Sequence, residues 1–139
     1  IMVQMQRWYG LDVFFQNGGK TDIMGFSYYP YWVQMKHDEE KLTKDMTALA
    51  DRYRKPLMLA EIGGPETEEE ETYELLRSAV RSIKAVPDGQ GKGIFYWEPE
   101  VGADLLPDQY PLGARVNGDK NIQFTCAMNA YKDARAEEK

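Results

Sequence analysis

The chain has 139 residues, is 42% hydrophobic and carries a formal net charge of -6 at pH 7. That is enough apolar material for one domain with a core, and it excludes a disordered chain. The acidic balance excludes nucleic acid and anionic membrane as partners, since both need clustered Lys and Arg, and it suits a neutral polymer such as a polysaccharide.

The first apolar run, residues 1–5, predicts a strand. The crossover over 6–21 is poor in helical pattern, and 11–17 allow only a short helix. Residues 22–29 predict a second strand. A helix follows over 38–54, with Leu42, Met46, Leu49, Ala50 and Tyr53 at helical spacing and Asp38 as N-cap. Residues 56–61 predict a third strand. The helix over 67–86 has Tyr73, Leu76, Val80 and Ile83 as its stripe. Thr67-Glu68-Glu69-Glu70 reads as its capping box, the acidic run complements the helix dipole, and Pro87-Asp88-Gly89 ends it. Residues 93–97 predict a fourth strand, 99–120 are irregular, and 122–136 predict a last helix with Phe124, Met128 and Tyr131 inward.

The strand runs are continuous rather than alternating, which fits strands buried on both faces of a parallel sheet. Strands alternating with helices define an α/β fold of parallel (β/α) units with right-handed crossovers, neighbours following chain order. Function in such folds collects at the C-terminal strand ends. The second strand ends in Gly25-Phe26-Ser27-Tyr28-Tyr29-Pro30-Tyr31-Trp32, the third in Ala60-Glu61-Ile62-Gly63-Gly64-Pro65, the fourth in Phe95-Tyr96-Trp97-Glu98-Pro99-Glu100. Aromatic faces stack on pyranose rings. Carboxylates accept hydrogen bonds from sugar hydroxyls, and one at a strand end can attack an anomeric carbon. The plainer reading, core aromatics beside solvated acids, does not explain why a Glu stands among them.

Ser27-Tyr28-Tyr29-Pro30-Tyr31-Trp32 resembles the sixth-strand motif of glycoside hydrolase family fifty-three, the arabinogalactan endo-β-1,4-galactanases. Gly93-Ile94-Phe95-Tyr96-Trp97-Glu98-Pro99 resembles the eighth-strand motif, Lys84-Ala85-Val86-Pro87-Asp88-Gly89-Gln90-Gly91 the approach to it, and Val13-Phe14-Phe15-Gln16-Asn17 the aromatic turn of helix five. The similarity runs from residue 1 to 99 and more loosely through Tyr110-Pro111-Leu112. It implies the C-terminal half of a (β/α)8, or TIM, barrel, strands five to eight over residues 1–139. Glu61 would be the nucleophile, with the Tyr28, Tyr29 and Tyr96 hydroxyls on adjacent strands as the nearest donors to keep it ionised, and Tyr28, Tyr29, Tyr31, Trp32, Trp97 and Glu98 would be the substrate contacts. Galactan would be the substrate, with no cofactor or metal. Secretion or a periplasmic location is implied too, although the opening residues lack the basic start of a signal peptide. Two departures stand out. Ile62-Gly63-Gly64-Pro65 replaces a frequent Thr-Ala-Tyr-Pro, with glycines opening space above Glu61. Gln4-Met5-Gln6-Arg7 replaces a more acidic strand end.

A retaining glycosidase needs a second carboxyl roughly 5–5.5 Å from the nucleophile. The resemblance puts that acid/base after an Asn at the end of strand four, and this sequence has no Asn-Glu pair. A full barrel takes roughly 250 residues. The expectation is therefore an acid/base outside these residues, an inactive isolated chain, and open sheet edges seeking the other half-barrel or another copy. Glu98 reads as a substrate contact or support of the site rather than a proton donor, and Glu100, more exposed by context, is still less suited to donate. Asp104 and Asp108 read as loop acids, not calcium ligands. His37 reads as a surface or capping residue. With Cys126 and His37 each alone in the sequence, neither a disulfide, a zinc site nor a cysteine nucleophile is supported. Two competing readings are a carbohydrate-binding remnant of the same fold and a flavodoxin-like domain. The latter lacks its Gly-rich first loop.

Overall fold

Side chains on a strand alternate between faces, and here the alternation decides what the sheet can bury. The computed structural model describes residues 1–6, 8–100, 113–116, 119 and 121–136. Its main sheet has the order β1 (Met2–Met5), β2 (Ile23–Tyr28), β3 (Leu57–Ile62) and β4 (Gly91–Tyr96). All three neighbouring pairs are parallel, as the alternation of elements predicts. Between the strands run α1 (Tyr9–Gln16), α2 (Glu39–Tyr53) and α3 (Glu69–Lys84).

The helix side of the sheet holds the core. Met24, Phe26, Leu57, Leu59 and Ile62 are each at most 2% exposed. They meet Leu11 of α1, Leu42, Met46 and Ala50 of α2, and Leu75, Leu76, Ala79 and Ile83 of α3. Those helical positions recur at spacings of three and four, so each helix turns one stripe to the sheet. The other face of the sheet is open among the described residues. Val3 and Met5 pack on the core, while Met2, at an alternate position on the other face, is 43% exposed. Likewise Ile94 and Tyr96 pack inward while Phe95 is 62% exposed. Among the described residues only one face has helices to cover it.

Asp38 caps α2 as expected, its Oδ1 accepting from the Lys41 amide at 2.9 Å. Thr67 does not cap α3. The N-cap is Glu68, without a side-chain bond, and Glu69, Glu70 and Glu71 in the first turn supply charge instead. The last predicted helix is also corrected. Ile122–Phe124 is a strand, β6, antiparallel to β5 (Ala114–Val116). A 3-10 turn over Cys126–Asn129 follows, and α4 is only Ala130–Ala136. Phe124, expected inward, is 55% exposed.

One irregularity sets the site. Phe26 pairs with Leu59, yet the next residue, Ser27, pairs with Glu61. Ala60 is thus an extra residue, a β-bulge. Without it Ser27 would face Ala60, and Glu61 would fall beside Tyr28, on the side of the helices. With it Glu61 shares a face with Ser27.

Candidate active site

Glu61 stands near the C-terminal end of β3, half-buried on the open face. Ser27 donates its hydroxyl to Oε2 at 2.9 Å, and Tyr29 donates to the same oxygen at 3.2 Å. The Gln4 side-chain amide donates to Oε1 and, at 3.1 Å, to the Ser27 oxygen. These contacts come from β1, β2 and the loop after β2, so adjacent strand ends converge on one carboxylate. All the groups around it donate, which builds the carboxylate in as an acceptor with fixed orientation.

From Tyr29 an aromatic series runs outward. Its ring meets Trp32 edge-on at 5.7 Å, and Trp32 meets Tyr31 at 5.0 Å. Tyr31 is 45% exposed. The structure therefore brings together Glu61, Tyr29, Trp32 and Tyr31. The end of β4 is held next to β3 by the Trp97 amide, which donates to the Ile62 carbonyl at 2.9 Å. Glu98 follows with φ of 43°, uncommon for a residue with a side chain.

Tyr28 is not part of that cluster, which corrects the expectation that its hydroxyl reaches Glu61. It occupies the alternate strand position, packs against the core and bonds His37 Nδ1 at 2.9 Å. Burial pushes its hydroxyl up to about 12. Tyr96, another expected partner of Glu61, instead donates to the Gly64 carbonyl at 2.9 Å and accepts from the Gly64 amide at 3.2 Å. Burial raises it to about 12 as well. Gly64 is buried rather than opening space above Glu61: a Cβ there would lie 2.1 Å from Thr72 Oγ1. His37 is half-buried and bonded on both ring nitrogens, not a surface or capping residue. Gln4 and Ser27 escaped the sequence reading. The available signal was a polar residue near the end of each of two otherwise apolar runs.

A cleft of about 380 Å³ opens behind the aromatic loop, lined by Tyr31, Met35, His37, Gly64, Pro65 and Leu75 among others. A larger one, about 630 Å³, lies at Glu69, Phe124 and Cys126, apart from the carboxylate. Among the described residues no three His, Cys, Asp or Glu side chains group as metal ligands, and no helix is long and apolar enough to cross a membrane. Asp104, Asp108 and Tyr110-Pro111-Leu112 lie outside the described residues.

A parallel (β/α) sheet with a carboxylate and aromatics at its strand ends is the architecture of the TIM-barrel glycosidases, of which these four strands form part. The chain belongs to glycosyl hydrolase family 53, whose model matches residues 3–131. A solved fungal beta-1,4-galactanase is similar at 18% identity and a TM-score of 0.69, over 95% of this chain and 47% of that one. The structure of beta-glycosidase BGL167 is similar at 14% identity and a TM-score of 0.63, over 98% of this chain and 40% of that one. An uncharacterized protein in the bgaB 5' region of Niallia circulans is 30% identical over 63% of this chain and 30% of its own length. The chain spans less than half the length of each of these proteins.

Proposed function

We propose that this chain carries the nucleophile side of a retaining glycoside hydrolase acting on β-1,4-galactan or arabinogalactan. The observation that carries this reading is Glu61, held by Gln4, Ser27 and Tyr29 on an open sheet face beside Tyr31 and Trp32. In this reading residues 1–139 are strands five to eight of the barrel, with the acid/base on strand four. Glu61 attacks the anomeric carbon, and the acid/base protonates the leaving oxygen. The glycosyl-enzyme ester then yields to a water that the same acid/base deprotonates. Family membership and the fungal galactanase likeness support the substrate class. Degradation of such a polymer implies export.

A 2-fluoro-galactosyl donor slows breakdown of the ester and so tests the assignment. On the complete barrel, peptide mass spectrometry is expected to find one added glycosyl group, on the peptide with Glu61. Labelling at Glu98, or an unlabelled but active enzyme, would overturn it.

Trp32 serves as the sugar platform. Trp32→Ala is expected to weaken galacto-oligosaccharide binding by about tenfold, or ~1.4 kcal/mol, by calorimetry. Unchanged affinity would remove Trp32 from the site.

A further inference from the structure

Residues 29–38 form the loop between β2 and α2, and it carries Tyr29, Tyr31 and Trp32. Its near end is tied to Glu61 through Tyr29. Its turn is closed by the Met35 amide donating to the Pro30 carbonyl at 3.0 Å. Its far end is tied by His37, which bridges Tyr28 on β2 and Ser78 on α3.

Those partners fix the tautomer. The Ser78 hydroxyl donates to the Leu75 carbonyl at 3.0 Å, so its oxygen accepts from His37 and the proton is on Nε2. The neutral imidazole then leaves Nδ1 bare, to accept from the Tyr28 hydroxyl. Burial holds that hydroxyl protonated at neutral pH, and the Asp38 backbone also hydrogen-bonds it. A second ring proton would set N–H against O–H across a 2.9 Å contact. Tyr28 would have to turn its proton away from His37, toward a site already served by Asp38.

We infer that His37 is a proton-controlled latch, joining the aromatic loop to α3 while neutral and releasing it when the imidazole is protonated. The charged groups around it are Asp38 and Glu39 from the start of α2 and Arg81 from α3. Lys36, Glu68, Glu71 and Glu74 line the same cleft. Asp38 and Glu39 favour the imidazolium, while burial, the largest influence, and Arg81 oppose it, so the ring is held below its ordinary value. The sign follows. The fold prefers the neutral ring, so the latch is complete above about pH 6.5 and weakens as pH falls from there toward the depressed native value. The Glu39 pair with Arg81 does not share this window, because its carboxyl is held below the usual carboxylate range.

The consequence for sugar binding rests on the function proposed above; the latch itself does not. The chain has one histidine, so its imidazole can be followed without overlap. Nitrogen-15 NMR between about pH 8 and about pH 5 is expected to show the Nε2–H tautomer at high pH. The amides of Tyr29 and Val33 and the Trp32 indole are expected to shift with the imidazole's own midpoint. His37→Asn is expected to abolish that shared response, and Ser78→Ala, which removes the acceptor of the Nε2 proton, to reduce it. Loop signals that ignore the imidazole midpoint, or follow it unchanged in His37→Asn, would overturn the latch. If the latch holds but oligosaccharide affinity does not fall with it, the sugar-site reading fails instead.

Discussion

Replacing Glu61 by Gln is expected to lower galactan turnover by the complete barrel by several orders of magnitude, on the scale seen when a nucleophile is removed. Oligosaccharide affinity should survive. The amide has the shape of the carboxylate and still offers an oxygen to Ser27 and Tyr29, on the Oε2 side. Its NH2 would meet the Gln4 side chain, whose own amide can turn to present oxygen instead of nitrogen. What is lost is the charge and lone pair that attack carbon. The stacking surface of Tyr31 and Trp32 is untouched. Reducing-end release gives the rate and calorimetry the affinity. Near-normal turnover in the Gln variant would end the nucleophile assignment. Loss of binding alongside turnover would point to Glu61 as a substrate contact only.

The second large effect concerns stability. Gly91 opens β4 under the last turns of α3, and a Cβ there would lie 1.7 Å from the Ile83 carbonyl oxygen. The same oxygen accepts from the Val86 amide at 3.4 Å, so it belongs to the helix end and cannot swing aside alone. Ile83 is 3% exposed and part of the core. Gly91→Ala therefore has to push α3 off the sheet. Overpacking against backbone costs on the order of 3 kcal/mol, or about 10 °C in a domain of this size. Circular dichroism melts check this, with Lys92→Ala, an exposed neighbour, as the control. Equal melting temperatures for the two variants would show that the helix does not sit this close.

The parts of the fold that were legible are those where burial follows spacing. Leu42, Met46 and Ala50 recur every fourth residue and face the sheet, and Asp38 in front of them caps. The strand order followed from alternation alone. The C-terminal part was misread because Phe124 and Tyr131, seven apart, mimic a helical stripe. In fact Phe124 belongs to a strand of three residues paired with an equally short one. In the candidate site, Glu61, Tyr29, Tyr31 and Trp32, singled out at the strand ends of the sequence, stand together in the structure. Their neighbours were not singled out, because contact across strands depends on register, which composition does not encode. Gln4 looked like a departure from a family pattern, yet it supplies a donor to Glu61. Tyr28 sits inside the motif and yet turns toward His37, nine residues on.

The extra residue at Ala60 gives the site a dependence on parity. A strand sorts its side chains by odd and even count, so a residue inserted into or deleted from a regular stretch inverts everything after it, while a substitution inverts nothing. Ala60 could change identity at modest cost to this arrangement. Deleting it would leave Glu61 directly after Leu59, paired with Ser27 in a regular strand and still on the open face, whereas straightening the strand with Ala60 retained would turn Glu61 toward α2 and α3 and bring Ile62 to the open face. A residue inserted between Leu59 and Glu61, more than an exchange of side chain, is thus the change to which this carboxylate is most vulnerable.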